Sequence, residues 1–195
     1  MNFGLINLSE SNIESKNKIF IEYLNKKAIK RNYIDEEDLE KTRFEFMIVF
    51  EDIPIKLKIF FAQNFDDLIN HYDEIENLDV IILIFNYSNL EAIDSLNPND
   101  FTELKRFYTF QGSSILVGID LENEKNTSER EQIRSKLIEK TKQLDILYAY
   151  EISDQNKDIS GLFGKLFQDF IFKFQYTSPE LFDLAKLYGK EIIEK

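Results

Sequence analysis

An apolar strand, a polar loop and an amphipathic helix follow one another in FGLINL (residues 3–8), SESNIESKN (residues 9–17) and KIFIEYL (residues 18–24). The first segment has the apolar run of a buried strand, so we predict β-structure over Phe3–Leu8. Apolar residues recur at helical spacing after the loop, and a helix is predicted over Ser15–Lys30. Its apolar face consists of Ile19, Phe20, Tyr23 and Leu24. This unit is typical of the start of an α/β fold.

The loop has the position of a phosphate-binding loop but only part of its residues. In Gly-x-x-x-x-Gly-Lys-Ser/Thr, the glycines let backbone N–H groups approach the phosphates, and the hydroxyl holds Mg²⁺. Lys16 keeps the lysine, whereas Glu10 and Ser15 occupy the glycine positions and Asn17 that of the Ser/Thr. Glu14 adds another carboxylate, and two like charges about 5 Å apart repel by roughly 3 kcal/mol at an effective dielectric of about 20. We therefore interpret the segment as a degenerate Walker A loop.

Two segments with alternating apolar residues come next and indicate an antiparallel hairpin. The first has apolar side chains at every second position from Phe44 to Phe50, and the second from Ile55 to Phe61. Only residues 51–54 separate them, which is the length of a hairpin connection.

Strand-like and helix-like segments alternate over the rest of the chain. Strands are predicted over residues 79–85, 113–118 and 144–152, and helices over residues 65–77, 99–110, 128–143 and 159–174. Near-continuous apolar strands are typical of parallel sheets that are covered on both faces. The predicted fold class is α/β and doubly wound: a mostly parallel six-stranded sheet with one antiparallel hairpin near its start.

A further helix is predicted at the C-terminal end of the chain. Ser178 is expected to cap it, and Pro179 takes the first helical position. We expect a stripe of apolar residues at helical spacing to pack on something: Leu181, Leu184, Ala185, Tyr188 and Ile192. The helix either makes a specific contact with a partner or covers an edge or face of the sheet.

The composition excludes several classes of function. There are 36 acidic and 24 basic residues, and the net charge of −12 disfavours binding to nucleic acid. With no cysteine and one histidine, a Cys/His metal site or a Cys–His nucleophile is ruled out. No signal peptide, lipidation motif or membrane-spanning run is recognisable, so we expect a soluble cytoplasmic protein with no direct membrane anchor.

The order of these elements resembles that of a Ras-like small GTPase over residues 1–175, with residues 176–195 as a C-terminal helical extension. DVIILIF (residues 79–85) is similar to the strand before the third helix of that family. ILVG (residues 115–118) is similar to the strand that leads to the guanine-recognition loop, and YEIS (residues 150–153) to the last strand. The resemblance implies a P-loop NTPase fold.

The family's functional motifs are degenerate in this chain. Phe61-Ala62-Gln63-Asn64 stands where Asp-x-x-Gly would organise Mg²⁺ and meet the γ-phosphate. IDLE (residues 119–122) replaces the base-recognition motif Asn-Lys-x-Asp, with Glu122 at the aspartate position in one register and Asp120 in another. SDQ (residues 153–155) replaces Ser-Ala-Lys, so neither Mg²⁺ nor guanine has its usual ligands.

The function expected from this pattern is that of a pseudo-GTPase, an interaction or scaffold subunit with no catalytic residues and no bound cofactor or metal. Its partners, by analogy with the family, are another GTPase-fold subunit or a small α/β scaffold domain. The alternative is a divergent GTPase that binds GTP or GDP weakly, with Mg²⁺ or without it. Its nucleotide ligands would then be Ser15, Lys16, Asn17 and Glu122. A third possibility is an α/β domain that is independent of nucleotide, such as a subunit of a trafficking or signalling complex.

Overall fold

The computed structural model describes residues 1–8, 13–29, 42–71, 78–87, 91–94, 96–107, 110–120, 127–153 and 155–194. These ranges contain six strands and seven helices. The strands are β1 (Asn2–Asn7), β2 (Arg43–Phe50), β3 (Ile53–Ala62), β4 (Val80–Asn86), β5 (Ser113–Ile119) and β6 (Tyr148–Ile152). The helices are α1 (Ile13–Lys27), α2 (Phe65–Asn70), α3 (Glu91–Asp94), α4 (Pro98–Phe107), α5 (Thr127–Gln143), α6 (Gln155–Thr177) and α7 (Pro179–Ile193).

The six strands form one mixed sheet in the order β2-β3-β1-β4-β5-β6. Strand β2 is antiparallel to β3, and every other neighbouring pair is parallel. The central strand β1 pairs on one side with β3, where Leu5 lies opposite Phe61, and on the other with β4, where Leu5 lies opposite Ile82. The predicted α/β class, with a mostly parallel six-stranded sheet and one early antiparallel hairpin, is confirmed.

Helices cover both faces of the sheet, as the fully apolar strands require. One face packs against α1, α6 and α7, and its core includes Phe20, Phe163 and Phe182. The other packs against α2, α4 and α5, with Leu68 and Leu104 at 0 % exposure. The chain therefore leaves the sheet toward one face after β1 and β6, and toward the other after β3, β4 and β5.

The hairpin turn is shorter than the sequence predicted. Strand β3 begins at Ile53, so the turn consists of Glu51 and Asp52 rather than residues 51–54. Both residues have positive φ, 49° and 65°, as the central residues of a type I′ turn require. Acidic side chains adopt this conformation more readily than branched ones do, and Ile53 and Pro54 are thereby free to join the strand.

The C-terminal helix is present, but one prediction about it is wrong. Ser178 is at the N-cap position, yet its side chain forms no capping hydrogen bond, and its N–H donates to the carbonyl of Phe174 at the end of α6. The side of α7 that packs on the protein contains Phe182, Ala185 and Gly189. Three other residues of the predicted stripe, Leu181, Leu184 and Tyr188, are exposed.

The choice of the side of α7 that packs on the protein has a steric cause. Gly189 lies against the hairpin turn, where a Cβ atom would come within 1.7 Å of the Asp52 carbonyl oxygen and 3.2 Å of Pro54 Cδ. A helix approaches backbone this closely only on a side with a small residue. Glycine adds nothing to an apolar periodicity, so the pattern of large residues could not show which side of α7 packs on the protein.

Other elements differ at their ends. Strand β6 begins at Tyr148 rather than at residue 144, because Leu144 and Ile146 are buried in the turn after α5. Helix α2 ends at Asn70, and residues 72–77 of its predicted range lie outside the described residues. Helix α6 extends to Thr177, across residue 175, so the proposed division of the chain there stays a prediction. Within the described ranges, no helix combines the length and apolar character needed to cross a membrane.

Tyr148 in β6 has a buried hydroxyl that finds no hydrogen-bond partner in the part of the chain the structure describes. Removing such a group relieves a desolvation penalty of about 1 kcal/mol. We therefore expect Tyr148→Phe to raise the free energy of unfolding by about 1 kcal/mol at pH 7, measured by urea denaturation. A fall in stability would show that the hydroxyl is paired in solution.

The same variant should alter the stability at alkaline pH. Burial, with a smaller effect from Asp169, raises the pKa of Tyr148 from 10 to about 12. Because the unfolded chain then loses this proton first, the wild type should lose stability as pH rises from 10 to 12. The stability gap between Tyr148→Phe and wild type should widen over that interval, and a constant gap would contradict the raised pKa.

Candidate functional site

The carboxyl ends of β1, β3, β4, β5 and β6 lie at one edge of the sheet. In doubly wound sheets, ligands bind at this edge where neighbouring strands lead to helices on opposite faces. Such a crevice lies between β5, which leads to α5, and β6, which leads to α6. The predicted phosphate loop follows β1 at the same edge, so the candidate site lies along this edge.

Helix α1 begins earlier than predicted and takes up part of the supposed phosphate loop. It starts at Ile13, so Ile13 and Glu14 belong to its first turn, together with Ser15 and Lys16. The side chains of these four residues lie outside the described part of the structure. Asn17, one turn into the helix, is 9 % exposed and belongs to the buried polar residues. Fewer residues are therefore left to curve around a phosphate than in the predicted loop.

The residues directly after β3 cap the N-terminus of helix α2. The Asn64 side chain accepts a hydrogen bond from the Asp67 N–H at 2.8 Å, and the Asp67 carboxylate accepts one from the Gln63 N–H at 2.9 Å. This is reciprocal capping of a helix N-terminus. It uses the polar groups of the segment that stands where Asp-x-x-Gly was expected.

The three phenylalanines near this point, Phe60, Phe61 and Phe65, are divided between the two faces of the sheet. Phe61 lies on the α1 face and meets the Phe44 ring edge-on at 5.7 Å between centroids. Phe60 and Phe65 lie on the opposite face, where Phe65 contacts Phe101 at 5.1 Å. Phe60 and Phe61 alternate along the strand, so they must point to opposite faces.

An ion-pair cluster lies between α5 and the ends of β5 and β6. Arg130 of α5 donates from Nη2 to Asp120 Oδ2 at 2.5 Å and from Nη1 to Glu151 Oε1 at 3.2 Å. Arg134, one turn further along α5, donates from Nε and Nη2 to Glu151 Oε2 at 2.9 and 2.7 Å. We refer to these four residues, Asp120, Arg130, Arg134 and Glu151, as the arginine cluster.

The arginine cluster is balanced in charge and graded in burial. The Asp120 side chain is 5 % exposed, those of Arg130 and Glu151 are 19 % and 18 %, and that of Arg134 is 56 %. Tyr87, at the end of β4, is buried beside it, and its hydroxyl lacks a partner of ordinary hydrogen-bond geometry among the described residues. Burial first, and the Glu151 carboxylate second, raise the pKa of Tyr87 above its usual range, so the hydroxyl stays neutral. Asp120, the least exposed carboxylate of the arginine cluster, has Arg130 as its counter-charge.

The predicted site residues are only partly visible. Asn17 is buried in α1, the side chains of Ser15 and Lys16 are not described, and Glu122 lies outside the described residues. Sequence reasoning missed Arg130, Arg134 and Glu151. The signal available was a pair of arginines one turn apart on a helix that follows a strand with Asp120 directly after its end. Within the described ranges, no three acidic or histidine side chains converge as a metal site would require.

A cavity of about 380 Å³ lies at the opposite end of the sheet, away from this edge. The starts of β4 and β5 and the second half of α6 surround it, with Asp79, Asp169 and Lys173 among its lining residues. Its position at the amino ends of the strands is not one where doubly wound folds bind nucleotides.

The chain was compared with known proteins: no protein-family model matches it, and no curated protein is significantly similar to it.

Proposed function

We propose that the protein is a degenerate Ras-like small GTPase that does not turn over nucleotide and acts as an interaction or scaffold subunit. The six-stranded sheet with its early antiparallel hairpin supports the resemblance because it is the sheet that the resemblance implies. The assignment of function rests on the site and not on the fold, since one fold serves many functions.

The observation that carries the proposal is the arginine cluster. Asp120 is the base-recognising carboxylate in one of the two registers given by the sequence, and here it is buried and bound to Arg130. A purine entering this crevice would have to break the ion pair and leave charges without partners, which costs several kcal/mol. The crevice between β5 and β6 is thus occupied by the protein's own side chains.

The end of β3 supports the same conclusion. A GTPase needs Mg²⁺ and a backbone N–H at the γ-phosphate to neutralise charge during phosphoryl transfer. Here the Asn64 side chain and the Asp67 carboxylate cap α2, and Ala62 is 4 % exposed. The Asp67 carboxylate is thus engaged by the Gln63 N–H, and Asp66 is an exposed residue in the first turn of α2.

The test is a measurement of nucleotide content and affinity. Protein purified without added nucleotide is denatured and the released small molecules are separated by ion exchange; the native protein is then titrated with GTP and GDP, with and without Mg²⁺. We expect no recovered nucleotide and no binding tighter than about 10 μM, which corresponds to roughly −7 kcal/mol.

Recovery of GDP or GTP, or tighter binding, would overturn the proposal and favour the weakly binding divergent GTPase. In that case Lys16→Ala should abolish the binding, because Lys16 is the one phosphate ligand that the loop retains from the motif. A matched control is Lys18→Ala, because Lys18 lies in the same helix, is exposed and pairs loosely with Glu22 at 4.0 Å.

A further inference from the structure

An apolar stripe on α7 faces the solvent. Leu181, Leu184, Leu187 and Tyr188 are 60 %, 62 %, 62 % and 60 % exposed, respectively. Their spacing of three, six and seven residues places them along one side of the helix. A contiguous exposed apolar surface of this kind marks an interaction site more often than a scatter of single residues does. We refer to these four residues as the α7 stripe.

The opposite side of α7 is fixed firmly to the protein. Phe182 is 8 % exposed and its ring meets that of Phe174 edge-on at 5.9 Å between centroids. Gly189 lies against the hairpin turn at Asp52. A rigid support of this kind lowers the entropy cost of binding to the stripe.

Most of the charged residues next to the α7 stripe are acidic; Asp183 lies four residues before Leu187, while Lys190, three residues after it, is basic. Glu180 lies four residues before Leu184, and Glu191 four residues after Leu187, so both carboxylates flank the stripe on its own side of the helix. Lys186 lies on another side, with its Nζ 5.9 Å from the centre of the buried Phe182 ring. Together with the net charge of −12, this makes the surroundings of the stripe complementary to a basic partner.

We propose that the α7 stripe is the docking surface for an amphipathic helical segment of another protein, one with an apolar side bordered by Lys or Arg. The proposal rests on the proposed function as an interaction subunit and names the partner's chemistry. A second copy of the chain fits less well, since a two-fold interface would place the mostly acidic border of one stripe against that of the other. An anionic membrane is repelled by the same charges.

The probe for this surface is a fluorescein-labelled synthetic helix of about 18 residues, or five turns, with Leu on one side and Lys on the rest. Its matched control is a peptide of identical composition whose order is scrambled so that no apolar side forms. By fluorescence anisotropy, we expect the ordered peptide to bind at least tenfold more tightly than the scrambled one. The double variant Leu184→Asp/Tyr188→Asp should weaken that binding at least tenfold.

A control variant separates the stripe from exposed apolar residues in general. Ile138 of α5 is 54 % exposed on the other face of the sheet, and Ile138→Asp should leave the affinity within twofold of wild type. Equal binding of the two peptides, or equal effects of the two variants, would overturn the proposal. The two variant proteins and the two peptides are first checked for helicity by circular dichroism.

The other occupants would give different results. Self-association in sedimentation equilibrium that disappears in Leu184→Asp/Tyr188→Asp would identify a second copy and overturn the proposal. Binding to phosphatidylserine vesicles that is lost in the same variant would identify a membrane as the occupant and would also overturn the proposal. The nucleotide titration tests the proposed function separately. If the protein binds neither nucleotide nor the ordered peptide, the docking surface alone is refuted.

Discussion

Gly189→Ala should lower the free energy of unfolding by about 3 kcal/mol and release α7 from the hairpin. The new Cβ would come within 1.7 Å of the Asp52 carbonyl oxygen and 2.6 Å of its carbon. Both are backbone atoms of a tight turn, so no change of side-chain rotamer can relieve the overlap, and overpacking of this kind costs 1–3 kcal/mol or more. The helix must then move, and Phe182 loses its place in the core.

Urea denaturation would measure the loss, and limited proteolysis after residue 177 would report the release of α7. The matched control is Gly164→Ala, also within a helix, where the new Cβ would have no neighbour within 4 Å. Because alanine favours helix over glycine by about 1 kcal/mol, that variant should be more stable than wild type. Two variants of equal stability would contradict the close packing of α7 on the hairpin.

Arg130→Met should also lower the free energy of unfolding by about 3 kcal/mol. It removes the counter-charge of Asp120, which is 5 % exposed, and removing one partner of a buried ion pair costs about 3–5 kcal/mol. We expect the low end of that range because Arg130 itself is 19 % exposed. Arg134→Met is the matched control, and with its 56 % exposed side chain it should cost less than about 1 kcal/mol.

A second substitution checks the cause. In the Arg130→Met background, Asp120→Asn removes the unpaired charge, and it should recover a measurable part of the lost stability in thermal or urea unfolding. If Asp120→Asn destabilises the variant further, the cost arises from lost packing of the arginine stem instead. Equal losses for the two arginine variants would contradict the assignment of Arg130 as the inner member of the cluster.

Much of the fold could be predicted because its strands carry strong local signals. VIILIF (residues 80–85) is buried at every position, and the alternation from Ile55 to Phe61 fixes both the hairpin and its packed face. The turn was misjudged because its type depends on Glu51 and Asp52 accepting positive φ, which their identities permit but do not require. The side of α7 that packs on the protein could not be predicted because Gly189 is decisive there, and a glycine carries no hydrophobic signal.

The candidate site was harder to predict because it depends on contacts between distant residues. Asp120 and Glu151 become neighbours only when β5 and β6 pair, and Arg130 reaches both from the helix between them. The motif at positions 119–122 suggested Asp120 as a ligand. The sequence could not show that this carboxylate already has a partner in the folded protein. The motif comparison names the residues that stand at the family's ligand positions, and it could not show which contacts they make in the folded protein.

The position of β1 in the middle of the sheet has a consequence for synthesis on the ribosome. This strand is made before both of its neighbours, since β3 and β4 end about 55 and 80 residues later. At 5–20 residues per second, the later of these two strands emerges roughly 4–16 s after β1 itself. During that interval Phe3, Leu5 and Ile6, none of which is more than 1 % exposed in the finished protein, remain open to chaperones and to neighbouring nascent chains.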